Sequence, residues 1–233
     1  MIITLSMIKY KGFSNKYWGF TMMQRSHPLV KNIPGLSFYK VLGTGAGNGF
    51  RPDPDFSVYG FLGVWDKESN ADEFFNNSEL FNKYRDRSED IWTVYMKCLR
   101  VHGTWDGKEP FTPEEPPPKG DRIAVITRAT IAPRRLLKFW RKVPSVSAPL
   151  KTQEGLIFSA GIGEWPLTQM ATFSLWENEG YMNAYAYQNP KHIEAIRLTR
   201  TLNWYNEEMF ARFRPYRMED GPWREEVGSK RNR

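Results

Sequence analysis

The chain repeats itself. HPLVKNIPGLSFYKVLGTG in the first half is answered by APLKTQEGLIFSAGIGEW in the second, with Gly35-Leu36 and Phe38 matched by Gly155-Leu156 and Phe158. YGFLGVWDKE, whose apolar run ends at Trp65, is answered by MATFSLWENE, which ends its run at Trp176. Farther along, Phe75-Asn76-Asn77-Ser78 answers Tyr187-Gln188-Asn189-Pro190, and Trp92 answers Trp204 with no gap between these points. Around these anchors each half reads strand, helix, strand, strand, helix, strand, which is the split βαβ or ferredoxin-like unit. One such unit leaves a sheet face bare, and a second unit in tandem can cover it. The expected fold is therefore α+β: two tandem ferredoxin-like (split βαβ) repeats whose sheets face one another as an intramolecular pseudo-dimer. The repeats are placed at 1–112 and 121–233, joined by the proline-rich connector 113–120 within PFTPEEPPPKG.

Local signals place the elements inside each repeat. Ile2 to Tyr10 reads as a strand and Asn15 to Arg25 as a helix, with Pro28 and Pro34-Gly35 breaking the connection after it. Leu36 to Leu42 and Val58 to Trp65 are strands. A long helix is expected from about Ala71 to Leu99, interrupted around Asn76-Asn77-Ser78, with a closing strand from Arg100 to Trp105. In the second half Arg122 to Ile131 is a strand and Pro133 to Lys142 a helix. Asn189 is a good N-cap and Pro190 fits the first helical position, so the segment from there to Phe213 reads as about six helical turns.

Two residues on these elements are chemical candidates. His192 shares its helical face with Ala195, Ile196 and Thr199. Its ring is either satisfied by a carbonyl in the core or a ligand to something docked against that face. Counting back from Trp204 to Trp92 sets Leu80 opposite it, so packing at that position is satisfied by leucine and does not require histidine. Arg128, in the middle of the strand ITRATI, either snorkels outward or points into a cavity holding an anionic or oxygen-bearing group.

Other features exclude chemistry. Gly43 to Gly49 lacks the ending of a phosphate-binding loop and reads as a turn. His27, His102 and His192 are far apart and no HxxxH or HxxE occurs, so no metal-ligand spacing is present. Glu207-Glu208 and Glu219-Asp220 read as solvated faces. Cys98 is the only cysteine, which excludes an internal disulfide or a cysteine-based cluster and makes a reducing, cytoplasmic setting the default. No apolar run approaches the ~20 residues that span a bilayer. The net charge of +7 comes with no nucleic-acid-binding motif, so no nucleic-acid partner is expected. Aromatic residues make up 15% of the chain; they either fill a core or suit a protein that encloses a large flat or greasy ligand.

The segments VITRATIAPRRLLKFWRKVP, GLIFSAGIGEWPLTQMATFSLWENEGYMNAYAY and HIEAIRLTRTLNWYNEEMFARF resemble the spheroidene monooxygenase family, and RPDPDFSVYGFLGVWD with HGTWDGKEPF extends the resemblance into the first half. The resemblance implies a haem-containing, O2-dependent oxidoreductase of carotenoid biosynthesis with a dimeric α/β-barrel fold. It implies His192 as the proximal ligand of the haem iron, and Arg128 on the distal side or near a propionate. It also implies an acyclic carotenoid substrate carried to a hydroxy and then a keto product. No flavin or nicotinamide motif is present, so electrons are expected from an external reductase or ferredoxin. A polyene substrate resides in a membrane, so peripheral contact with the inner membrane is expected, with Arg134, Arg135, Lys138, Arg141 and Lys142 as candidates for it; the alternative is that they form a merely solvated helix. The alternative is a haem- or hydrophobe-binding protein of the same barrel without turnover; a third reading is a purely structural two-repeat module.

Overall fold

The computed structural model of the protein describes residues 1–45, 53–114, 120–190, 193, 197, 199, 201, 202 and 204–219, except 148–152 and, for side chains, 142–147. The first repeat runs β1 (Ile2–Lys9), α1 (Phe13–Val30), β2 (Leu36–Gly45), β3 (Pro54–Trp65), α2 (Glu68–Asn77), α3 (Glu79–Arg87) and β4 (Asp90–Gly103). The second runs β5 (Ile123–Ile131), a 3-10 turn at Pro133–Arg135, α4 (Leu136–Ser147), β6 (Leu156–Trp165), β7 (Gln169–Trp176), α5 (Glu179–Gln188) and β8 (Tyr205–Glu219). By hydrogen bonding the strands follow the closed order β1-β3-β2-β6-β7-β5-β8-β4, the strand order of an α/β barrel. Compactness groups Met1–Thr44, Asp55–Lys97 and Pro215–Arg233 as one unit, and Gly45–Pro54 with Cys98–Arg214 as the other.

The repeat expected from the sequence is present in the hydrogen bonding. Ile2 lies opposite Trp65 across β1 and β3, as Ile123 lies opposite Trp176 across β5 and β7. Gly35 and Gly155 both take a left-handed φ, 71° and 73°, and their carbonyls accept from Asp66 at 2.9 Å and Glu177 at 2.8 Å. A side chain at either glycine would collide with the following helix, at Asn70 or at Tyr181. Glycine is thus required twice, for one conformation and one close approach.

In the first unit, alternate residues of β1 divide between two faces. Ile2 and Ile8 pack with Met22 of α1, Phe74 and Phe75 of α2, and Leu80, Phe81 and Tyr84 of α3. Burying each of these large apolar side chains contributes about 1.5–3 kcal/mol. In the second unit Ile123 and Val125 pack under Met182 and Tyr185 of α5, and Ile131 packs with Phe139 of α4.

Several boundaries differ from the sequence reading. Helix α1 runs through Pro28, because the proline falls in the last turn and forfeits a single backbone bond. The break at Ser78 is real: it ends α2 and caps α3, its Oγ accepting from the Phe81 amide at 3.1 Å. Beyond it, however, the helix stops at Arg87 and the chain is strand from Asp90, not from Arg100. The stretch read as six helical turns is likewise divided. Ile193, Arg197, Thr199, Thr201 and Leu202 are helical, whereas Tyr205 onward is strand. The ladders also revise the internal register. Ile3 pairs with Met96 and Ala124 with Phe213, which aligns Trp92 with Met209 and not with Trp204. Ser78 and Asn189 are the matched helix boundaries, so three residues on, Phe81 and not Leu80 answers the sequence position of His192. Phe81 is buried and apolar, so the contrast drawn from Leu80 is kept.

Candidate active site

The helix-facing side of the second repeat's sheet differs from its counterpart where the helices cross it. In the first repeat Tyr39 stacks on Phe61 at 6.3 Å, and Phe61 stacks on Phe74 at 5.2 Å. The matched residues of the second are Ser159, Thr172 and Tyr185, and Val41 is matched by Gly161. Two aromatic rings on the sheet are thereby replaced by smaller hydroxyl side chains. The second repeat also buries polar atoms. Ser159 Oγ, Asn183 Oδ1, Arg212 Nε and Arg214 Nε are buried without a hydrogen-bond partner. Arg212 stands where the first repeat has Tyr95 and is 8% exposed. Its two Nη groups donate to Glu179 Oε1 and to the Tyr187 hydroxyl, each at 3.0 Å. Burial pushes the Tyr185 phenol up to about 12, so it stays protonated at neutral pH. A large planar cofactor with carboxylate substituents fits this set: small residues on the sheet, a protonated phenol above it, and guanidinium nitrogens with bonding capacity left. His192 itself lies outside the described residues.

Arg128 occupies the other face of β5, with Ala124 and Ile126, and is 1% exposed. It points inward, and carboxylates meet it there. Its Nη1 donates to Glu207 Oε2, its Nη2 donates to Asp106 Oδ1 at 3.0 Å, and Glu164 Oε1 lies 3.7 Å from Nη2. The guanidinium carbon lies 5.7 Å from the Trp105 ring centre, and the Trp105 indole N–H donates to Glu164 at 2.6 Å. Trp105 and Lys108 bracket a two-residue turn in which Asp106 and Gly107 take φ of 53° and 69°. This is the Asp-Gly hairpin turn, and it aims the Gly107 amide at Glu207 Oε1, 2.7 Å away. Thr104 Oγ1 donates to the same oxygen at 2.7 Å. Burial pushes the Glu207 carboxyl up, but the Gly107 amide, Thr104 and Arg128 outweigh it and hold the group down at about 2.

Glu207, which the sequence pattern places on a solvated face, is instead the main partner of Arg128, whereas Glu208 beside it is exposed. The signal was parity: Glu207 shares a strand face with Met209, Ala211 and Phe213, visible only once the segment is read as a strand. Arg212 was missed for the same reason. His27 bonds the Tyr39 hydroxyl at 2.9 Å and His102 is exposed. Cys98 is buried and its thiol is pushed up to about 11 by that burial, so it is an inert core residue. Among the described residues no group of three or more His, Cys, Asp or Glu is placed to hold a metal ion. No helix among them is long and apolar enough to cross a membrane.

No family model matches the chain. Whole-sequence similarity is more informative. The chain is 34% identical over 215 residues to spheroidene monooxygenase of Rhodobacter capsulatus, covering 91% of this chain and 89% of that protein. It is 32% identical over 212 residues to spheroidene monooxygenase of Cereibacter sphaeroides, covering 91% of this chain and 65% of that longer protein. Among solved structures, an aldoxime dehydratase in complex with butyraldoxime is similar at a TM-score of 0.61 and 7% identity, covering 92% of this chain and 79% of that one. A second aldoxime dehydratase gives 0.60 and 10%, covering 92% and 81%. At such identities the structural likeness shows the fold alone.

Proposed function

The chain belongs to the spheroidene monooxygenase family and is an oxygenase, and from that premise we propose that it is a haem-dependent monooxygenase. In this reading it oxidises an acyclic carotenoid, or a similar long hydrophobic molecule, with O2 to a hydroxy and then a keto product. The observation that carries the reading is sequence identity spread over nine-tenths of the chain, at 34%. The replacement of Tyr39 and Phe61 by Ser159 and Thr172 supports it from the structural side.

Haem, when bound, supplies the activation of O2. The chain's own residues do the rest. His192, on the segment that follows Asn189, is the proposed proximal ligand. Ser159, Thr172 and Gly161 would form the floor under the macrocycle, and Arg212 and Arg214 would hold its carboxylates through the nitrogens left without partners. For Arg128 the proposal is a distal or propionate-side part exerted through what it holds. Its Nη groups are committed to Glu207 and Asp106, so it fixes the Trp105–Gly107 turn and the local charge instead of touching substrate. Each hydroxylation consumes one O2, two electrons and two protons and releases one water; a second at the same carbon gives a geminal diol that loses water to a ketone. The electrons come from a separate reductase or ferredoxin.

The test begins with the visible spectrum of the purified protein expressed with ample haem. A Soret band that disappears in a folded His192→Ala variant is the expected result, and full haem content in that variant refutes the ligand assignment. Cells making acyclic carotenoids should then accumulate a new oxygenated product when they express the chain. A Soret band with no new product leaves haem binding in place and removes the carotenoid assignment.

A further inference from the structure

The turn joining β6 to β7 contains a residue that the fold does not ask for. Leu167 sits at φ 67°, the left-handed region where glycine or asparagine is the ordinary occupant because a Cβ crowds the backbone. Its side chain is 37% exposed, beside Trp165 at 60%. Leu137, on the outer side of α4, is 76% exposed. The turn and the helix are one surface, because the Trp140 indole N–H donates to the Leu167 carbonyl at 3.1 Å and Leu137 lies one turn before Trp140. Strain and apolar exposure at the same turn mark a surface that meets an apolar partner.

Charge identifies the partner. Arg134, Leu137, Lys138 and Arg141 are all exposed and follow i, i+3, i+4, i+7 spacing along the 3-10 turn and α4. No acidic residue occurs from Ala132 to Gln153, and Glu164 is turned away toward Trp105 and Arg128. We infer that this face docks on an anionic lipid bilayer. Trp165, Leu167 and Leu137 enter the boundary between headgroups and acyl chains, and Arg134, Lys138 and Arg141 meet the lipid phosphates. Sequence reading pointed to the cations; the apolar anchors and the strained turn come from the structure. The inference does not rest on the haem chemistry proposed above.

The experiment is co-sedimentation of the full chain with vesicles of phosphatidylcholine alone or with about one-third phosphatidylglycerol. Binding is expected to the anionic vesicles and to weaken with salt. Leu167→Asn should lower the partition coefficient about tenfold, the loss of one buried leucine side chain, while raising the melting temperature by relieving the left-handed strain. Trp165→Ser should lower binding at least as much, and in the unaltered chain lipids brominated near the headgroup should quench tryptophan emission more than in that variant. Two results overturn the inference. One is failure to sediment with anionic vesicles. The other is binding that depends on Arg134, Lys138 and Arg141 but is indifferent to Leu167→Asn and Trp165→Ser, which would make the face a purely electrostatic site, as for an acidic protein.

Discussion

The two repeats share one chain path and use it for opposite ends. On the helix-facing side of the first, Tyr10, Tyr39, Tyr59, Phe61, Trp65, Phe74, Phe75, Phe81 and Tyr84 form a continuous aromatic packing, much of it at ring separations of 4.6–6.3 Å. At the matched places the second has Met170, Thr172, Ser159, Ala186 and, where Tyr95 stands, Arg212. Even the shared tryptophans differ in detail. Trp65 donates to Thr4 on the neighbouring strand at 2.8 Å, whereas Trp176 donates to Ser174 on its own strand at 3.0 Å, and Ser174 stands where the first repeat has Gly63. Buried polar atoms without a partner occur in both repeats, but those of the first are the Tyr10 and Tyr59 hydroxyls, whereas those of the second include the Nε atoms of Arg128, Arg212 and Arg214.

The sharpest way to break this contrast is to erase it. Ser159→Tyr with Thr172→Phe installs the first repeat's rings in the second. Haem occupancy, read from the Soret absorbance, should fall to background while circular dichroism stays native; undiminished occupancy would place the cofactor elsewhere. The reverse change tests the other copy. Phe61→Ala should cost about 3–5 kcal/mol in urea denaturation, the usual cost of emptying an aromatic core position. Thr172→Ala should cost under about 1 kcal/mol. Equal costs for the two would remove the division of labour.

A third effect is smaller and depends on pH. The Glu207 carboxyl titrates at about 2 in the folded chain against an ordinary 4.5. A depressed carboxyl contributes stability that is fully present above the ordinary value and is lost as pH falls through the folded one. Unfolding free energy should therefore decline between roughly pH 4.5 and 2. Glu207→Gln should start from a lower stability at pH 7 and decline less steeply over that window. The first repeat has no such clamp at this place: a buried methionine, Met7, stands where Arg128 does. A variant with an unchanged acid limb would show that Arg128 draws its stability from Asp106 and Glu164 instead.

Much of the architecture was legible because the features that specify it are local. Gly35 and Gly155 announce a left-handed turn wherever they occur, and Ser78 announces a helix boundary by its capping chemistry. Most of β4 and all of β8 were not legible, for a physical reason. Trp92, Tyr95, Met96 and Leu99 fall at i, i+3, i+4 and i+7, which a helix would present as one apolar stripe. Trp92 through Met96 are in fact strand residues buried on both sides, and two-sided burial lets an apolar run satisfy either period. The same ambiguity from Tyr205 onward hid Glu207 and Arg212, whose roles follow only from strand parity. Arg128 was visible as an anomaly, a charge within an apolar strand. Its partners were not, because Asp106, Glu164 and Glu207 come from three separate segments that only the fold brings together.

The smallest expected effect sits at the junction where the two copies are most alike. Ser78 in the first repeat and Asn189 in the second each end one helix and begin the next. Ser78 accepts from the Phe81 amide at 3.1 Å, and the Ile193 amide donates to the Asn189 carbonyl at 3.0 Å, one turn into its helix. Losing an N-cap side chain costs about 1 kcal/mol, so Ser78→Ala and Asn189→Ala should lower the denaturation midpoint by similar, small amounts. Their consequences for the cofactor should differ. The helix begun by Ser78 packs into an aromatic core and carries no ligand, so Ser78→Ala should leave the Soret absorbance per mole of protein unchanged. The segment begun by Asn189 carries His192, and fraying its first turn moves the proposed ligand directly. Asn189→Ala should therefore speed haem loss to apomyoglobin even where the two variants unfold at the same urea concentration. Identical rates of haem loss would separate the cofactor from this segment, and with it from His192.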